Sequence, residues 1–155
     1  MSSNKRTDSA SRVINASPRT IYRAFLDPEA VAVWRPPDGM KGQIHAFDPR
    51  EGGRYRNVLC IYRDHAVRGK TSEHADVFQG RFLELIPDER IVELVEFESV
   101  DPAFAGAMTI TTSLASVSGG TEVTIVCKNV PHGIRPSDHQ TGLTSTLENL
   151  AAFTE

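Results

Sequence analysis

Two side chains in this sequence are of a type and setting that could move a proton from inside a folded domain: Glu93 and His139. Glu93 alternates with Ile91, Val95 and Phe97, so in a strand the four share one face. If that face is inward, a carboxylate enters an apolar space where desolvation disfavours its charged form. The opposite face carries Val92 and Leu94 but also Glu96 and Glu98, which mark it as the water side. The competing reading pairs Glu93 with an arginine at the rim of a sheet. His139 stands one turn before Leu143 on the same face of a C-terminal helix. There it either points at whatever the helix packs on, near one end of the contact, or is solvated at the helix end. If both groups face one cavity, a histidine that titrates near neutral pH and a desolvated carboxylate share a site. That is the arrangement acid/base chemistry such as cyclisation or dehydration needs.

Other chemistry has little support. The histidines His45, His65, His74, His132 and His139 form no i, i+3 or i, i+4 pair, so scattered surface positions are expected and no metal site. Gly69-Lys70-Thr71 ends like a phosphate-binding loop, but the place five residues before Gly69, where that motif needs glycine, holds Asp64. No cofactor is expected. There is no Gly-x-Ser-x-Gly elbow. Cys60 and Cys127 are far apart, each in a strand-like stretch, and read as buried free thiols. A formal charge of -3 argues against a nucleic-acid footprint. No apolar run approaches the roughly 18 residues of a membrane span. Met1 to Ser11 is polar and without the apolar core of a secretory signal, so a disordered tail is expected there. Cytoplasmic residence follows by exclusion.

The elements that must position these groups can be read in order. A chain of 155 residues is long enough for one domain with a real core, here 12–155. Arg12 to Ala16 is a short strand. Ser17-Pro18 and Asp27-Pro28 each place a capping residue before proline, opening two short helices that end near Leu26 and Val33. Trp34 follows, and Arg35-Pro36-Pro37-Asp38-Gly39 forms a loop. From Lys41 the period changes to two, with strands at Gln43–Phe47, Arg54–Tyr62, Ala75–Ile86, Arg90–Glu98, Ala107–Ala115 and Thr121–Asn129. Tyr55, Asn57, Leu59 and Ile61 take the inward face of the second of these, opposite Arg54 and Arg56. Gly80 inside a strand signals a bulge or a close backbone approach. Gly119-Gly120 signals a hairpin. Arg63 to Glu73 is a charged loop. The last stretch, with Ser137 as N-cap and Gln140 completing a capping box, is a long helix whose stripe is Leu143, Leu147, Leu150 and Thr154. Thr141, Ser145, Glu148, Ala152 and Glu155 fall on its other face. A lone long helix after many strands must bury its stripe on their sheet.

The expected fold is therefore α+β: a curved antiparallel sheet of six to seven strands gripping a long C-terminal helix, with two short helices after the first strand. This order, with Ala16-Ser17-Pro18, Asp27-Pro28-Glu29, Trp34, Arg50-Glu51-Gly52-Gly53-Arg54-Tyr55, Gly80-Arg81-Phe82-Leu83-Glu84 and Pro87-Asp88-Glu89-Arg90, resembles the START-like (SRPBCC) superfamily and its helix-grip fold. Within it the chain is similar to bacterial homologues of the C-terminal domain of the heat shock protein 90 ATPase activator. Asp101-Pro102-Ala103-Phe104-Ala105-Gly106, Asn129 to Ile134 and Asp138-His139 fit as well. Where many relatives carry tryptophan after the helix glycine, this chain has Leu143, which implies more room in the pocket or a differently packed one. The resemblance implies a pocket between sheet and final helix for a small hydrophobic molecule. Trp34, Tyr55, Asn57, Phe78, Glu93, Met108, Ile110, His139 and Leu143 are its expected lining, against the plainer reading of Trp34, Met108 and Ile110 as core. It also implies two other roles: regulation of a chaperone ATPase, or a cofactor-free cyclase or dehydratase in which Glu93 and His139 are the catalytic candidates. The ligand and the oligomeric state, a homodimer included, are left open.

Overall fold

The computed structural model describes residues 6–36, 40–61, 75–98 and 101–155. The expectations for Gly69-Lys70-Thr71, the rest of the Arg63–Glu73 loop, His65, His74 and the Cys60 thiol lie outside them, as do those for Leu59 and Ile61. The elements run β1 (Arg6–Ile14), α1 (Pro18–Phe25), α2 (Pro28–Trp34), β2 (Met40–His45), β3 (Arg54–Ile61), β4 (Ala75–Ile86), β5 (Arg90–Phe97), β6 (Met108–Val117), β7 (Gly120–Val130) and α3 (Pro136–Thr154). The strands form one antiparallel sheet in the order β1-β7-β6-β5-β4-β3-β2. The chain after β1 thus crosses the sheet by way of the two short helices and returns strand by strand to pair with β1. The fold is the α+β helix grip, with α3 lying against β1 and the two short helices.

Local chemistry explains the boundaries. Ser17 accepts from the Thr20 N–H at 3.1 Å and Asp27 from the Glu29 N–H at 3.0 Å, so each short helix starts on a side-chain cap followed by proline. The Trp34 indole donates to the Ala24 carbonyl at 2.9 Å, and its ring sits 4.5 Å from that of Phe25. That contact locks α2 to α1. The β6–β7 hairpin turns at Gly119 and Gly120, whose φ values of 92° and 138° suit glycine.

Four expectations change. The strand expected from Arg12 begins at Arg6, so residues 6–11 are strand and not tail. Thr7-Asp8-Ser9-Ala10-Ser11 hides this because β1 is an edge strand that alternates half-buried and exposed residues with little apolar content. β2 lies earlier than Gln43–Phe47 and stops where Ala46 takes a left-handed φ of 50°. α3 opens at Arg135 with Pro136 in its first turn, so Ser137 is inside the helix and the capping box does not form. Proline lacks the N–H a cap would satisfy and is preset for the first helical turn. Ser145, placed on the outer face, is buried together with Leu143, Leu147, Leu150 and Ala151.

Candidate functional site

A cavity of about 150 Å³, partly open to solvent, lies between the inner face of the sheet, α3 and the α1–α2 segment. Register explains its floor. Glu93, Ile110, Cys127 and Asp8 are successive partners across β5, β6, β7 and β1 and so point to one side. The next row is Ile91, Thr112, Ile125 and Ala10. Trp34, Phe78, Glu93, Met108, Ile110, His139 and Leu143 all line the cavity. Tyr55 and Asn57 do not. Asn57 is the register partner of Phe78, one strand farther out, and its buried amide has no hydrogen-bond partner among the described residues. Tyr55 stands behind the wall, where it has another use.

That use is Glu93. The carboxylate is 1% exposed and is held by Arg35, whose Nη1 is 3.2 Å from Oε1 and Nη2 3.4 Å from Oε2. The Tyr55 hydroxyl donates to Oε1 at 2.5 Å and accepts from Arg35 Nη1 at 3.2 Å. Both readings of Glu93 are thus partly met: it is buried on the inward face, and it has an arginine. The arginine comes from the C-terminus of α2 and not from the sheet rim. Tyr55 reaches Glu93 because its ring lies over its register partner Gly80, where a Cβ would overlap it. Gly80 therefore marks a close approach; the register slip of β4 falls between Phe82 and Glu84. α3 fixes the arginine: Thr146 donates to the Arg35 carbonyl at 3.2 Å and Asn149 to the Pro36 carbonyl at 2.9 Å. The guanidinium carbon lies 5.1 Å from the centre of the Trp34 ring. Burial disfavours the charge on Arg35, but Glu93 outweighs that and holds the guanidinium firmly protonated. Burial, with the Glu93 charge, pushes the Tyr55 hydroxyl well above its ordinary value.

At the other end, His139 Nδ1 lies 2.6 Å from Asp8 Oδ2, and Arg6 Nε donates to both Asp8 oxygens at 3.0 Å. His139 is therefore neither solvated nor scattered; His45 and His132 are exposed as expected. Burial opposes the Asp8 charge, yet its hydrogen bonds to Arg6 and His139 prevail and hold the carboxyl below 3.8. Between the two ends lies Cys127, a buried free thiol. Burial, reinforced by the charges of Asp8 and Glu93, pushes it up to about 12, so it is no nucleophile near neutrality. Three strand spacings separate the Cα atoms of Glu93 and Asp8, about 14 Å. No cluster of histidine, cysteine and carboxylate side chains able to hold a metal ion occurs among the described residues.

Sequence reading missed Arg35 and Asp8. A buried glutamate demands a cation, and an arginine beside the only tryptophan was a signal, but nothing in sequence order chose it among the arginines. Asp8 lay in the stretch read as tail.

A helix-grip domain with an apolar cavity under its long helix and an ion pair in the cavity wall is the class these features define. Residues 15–155 match the profile of the family described as Activator of Hsp90 ATPase homolog 1-like protein, and the chain belongs to that family, within the START-like superfamily. A crystal structure of a protein from Chromobacterium violaceum is similar at 36% identity and TM-score 0.84, over 96% of this chain and 97% of the other. A Rhodobacter sphaeroides protein (20% identity, TM-score 0.74, 94% and 89% covered) shares the fold. So does the AHSA1-like protein of Aeromonas hydrophila (18%, 0.71, 96% and 91%). No functionally curated protein matches the chain. No helix among the described residues is long and apolar enough to cross a membrane.

Proposed function

We propose that the protein binds a small, mainly apolar molecule in the cavity between sheet and α3. The observation that carries this reading is the cavity wall: aromatic and aliphatic side chains from both layers, interrupted by the buried Arg35–Glu93 pair and by His139. Small-molecule sites have this composition, with few polar groups fixing orientation. A thermal-shift screen of small aromatic and aliphatic compounds tests it. A ligand at about 100 times its Kd adds about 2.7 kcal/mol. Ile110→Phe, which fills the floor, should abolish that shift. Absence of any shift across the panel, or a shift that survives Ile110→Phe, would count against the cavity.

Catalysis is a second reading, favoured by the fact that His139 and Glu93 both line the cavity. Each is already engaged, His139 by Asp8 and Glu93 by Arg35 and Tyr55, and they stand at opposite ends. Their existing partners, at opposite ends of the Glu93–Asp8 row, favour binding over proton shuttling. Turnover of a bound compound lowered by both His139→Ala and Glu93→Gln would reverse that preference. Regulation of a chaperone ATPase rests on the family description alone. A coupled ATPase assay with the chaperone, unchanged at saturating protein, would dispose of it.

A further inference from the structure

Thr112 is a polar group in the cavity wall that nothing among the described residues satisfies. It lines the cavity, is 1% exposed, and its Oγ1 makes no hydrogen bond among the described residues. Its register partners Ile91 and Ile125 offer only apolar side chains beside it. Burying a hydroxyl without a partner is unfavourable, and buried hydroxyls nearly always find one. Its hydroxyl and methyl share one Cβ at the cavity wall, so a guest's polar group placed there meets a hydroxyl with no competing bond among the described residues.

The charged groups on the same wall are in the opposite condition. Arg35 and Glu93 compensate each other at 3.2 Å, and His139 lies against Asp8 at 2.6 Å. Each charged side chain there already faces one of opposite sign, Arg35 against Glu93 and Arg6 against Asp8, so a charged guest would lose its water without an uncommitted opposite charge among these groups to replace it. The space, about 150 Å³, is of the size that holds a single benzene ring.

We propose, building on the binding function above, that the natural ligand is an uncharged single-ring molecule bearing one hydroxyl or carbonyl group, which Thr112 hydrogen-bonds. Threonine both donates and accepts, so either group fits. Carboxylates and amines of the same size are excluded.

Titration calorimetry with toluene, phenol, benzoate and benzylammonium, on the wild type and on Thr112→Val, tests this. Phenol is expected to bind the wild type about fivefold tighter than toluene, the worth of one net hydrogen bond. In Thr112→Val that margin disappears while toluene binding holds. Benzoate and benzylammonium are expected to bind neither form. A ligand-free check accompanies these: removing an unsatisfied hydroxyl should raise Tm, by about 2–4 °C per kcal/mol relieved. Equal binding of toluene and phenol, a phenol preference that survives Thr112→Val, or a lower Tm of the variant overturns the role of Thr112 and leaves the apolar pocket standing. Tightest binding by either charged probe overturns the neutrality of the site. Failure of all four probes removes the pocket reading and this inference together.

Discussion

Arg35→Met removes the only described cation that touches Glu93 and leaves a carboxylate with 1% exposure beside one phenol. The loss can be worked from the geometry. At 3.2 Å and an effective dielectric constant of about 20, the pair attracts by about 5 kcal/mol. Truncating one partner of a buried pair costs about 3–5 kcal/mol, because the other charge stays buried. For 155 residues, at roughly 2–4 °C per kcal/mol, Tm should fall by about 6–20 °C. The control is the Arg90–Glu84 pair, shorter at 2.7 Å but with both side chains over 40% exposed, where Arg90→Met should cost under about 1 kcal/mol. The decisive variant is Arg35→Met/Glu93→Leu with Tyr55→Phe. With the whole polar cluster replaced by apolar groups of similar volume, stability should return to within about 2 kcal/mol of wild type. Thermal unfolding followed by circular dichroism at neutral pH reads all of these. If Arg35→Met melts with the wild type, or the triple variant falls as far as the summed single losses, the cluster is not the coupled unit described.

Tyr55→Phe should cost about 1.5–3 kcal/mol, the worth of a hydrogen bond to a charged group. Gly80→Ala should lose at least as much by lifting the Tyr55 ring, and chemical denaturation should show the two changes to be less than additive. In a Cys60→Ser background, iodoacetamide should alkylate Cys127 about a thousandfold more slowly at pH 8 than a thiol at 9.0, because the shift to about 12 reduces its thiolate fraction by that factor; mass spectrometry reads the rate, and free-thiol reactivity would refute the burial. The lowered Asp8 carboxyl contributes stability above 3.8 that is lost as pH falls through its folded value, so Asp8→Asn should flatten the acid limb of a stability–pH curve below about pH 4. An acid limb as steep as the wild type's would show that Asp8 is not held by Arg6 and His139.

The sequence by itself determined the order and type of the elements from α1 to α3. Paired cap and proline at Ser17-Pro18 and Asp27-Pro28, two-residue alternation along β5 to β7, and the Leu143, Leu147, Leu150 stripe are local signals that local structure obeys. Alternation also chose the inward face of β3, which put Tyr55 and Asn57 inside, and offered that face for Glu93 beside the rim reading. It could not read β1 beyond Arg12, because an edge strand packed on one face needs few apolar residues. Nor could it choose partners. Arg35 meets Glu93 across 58 residues, and His139 meets Asp8 across 131. Which cation answers a buried carboxylate depends on where α2 ends over the sheet and on how Thr146 and Asn149 of α3 hold that end. Those are properties of packing between layers, so only the tertiary structure turned an isolated carboxylate and a lone histidine into two compensated ends of one cavity.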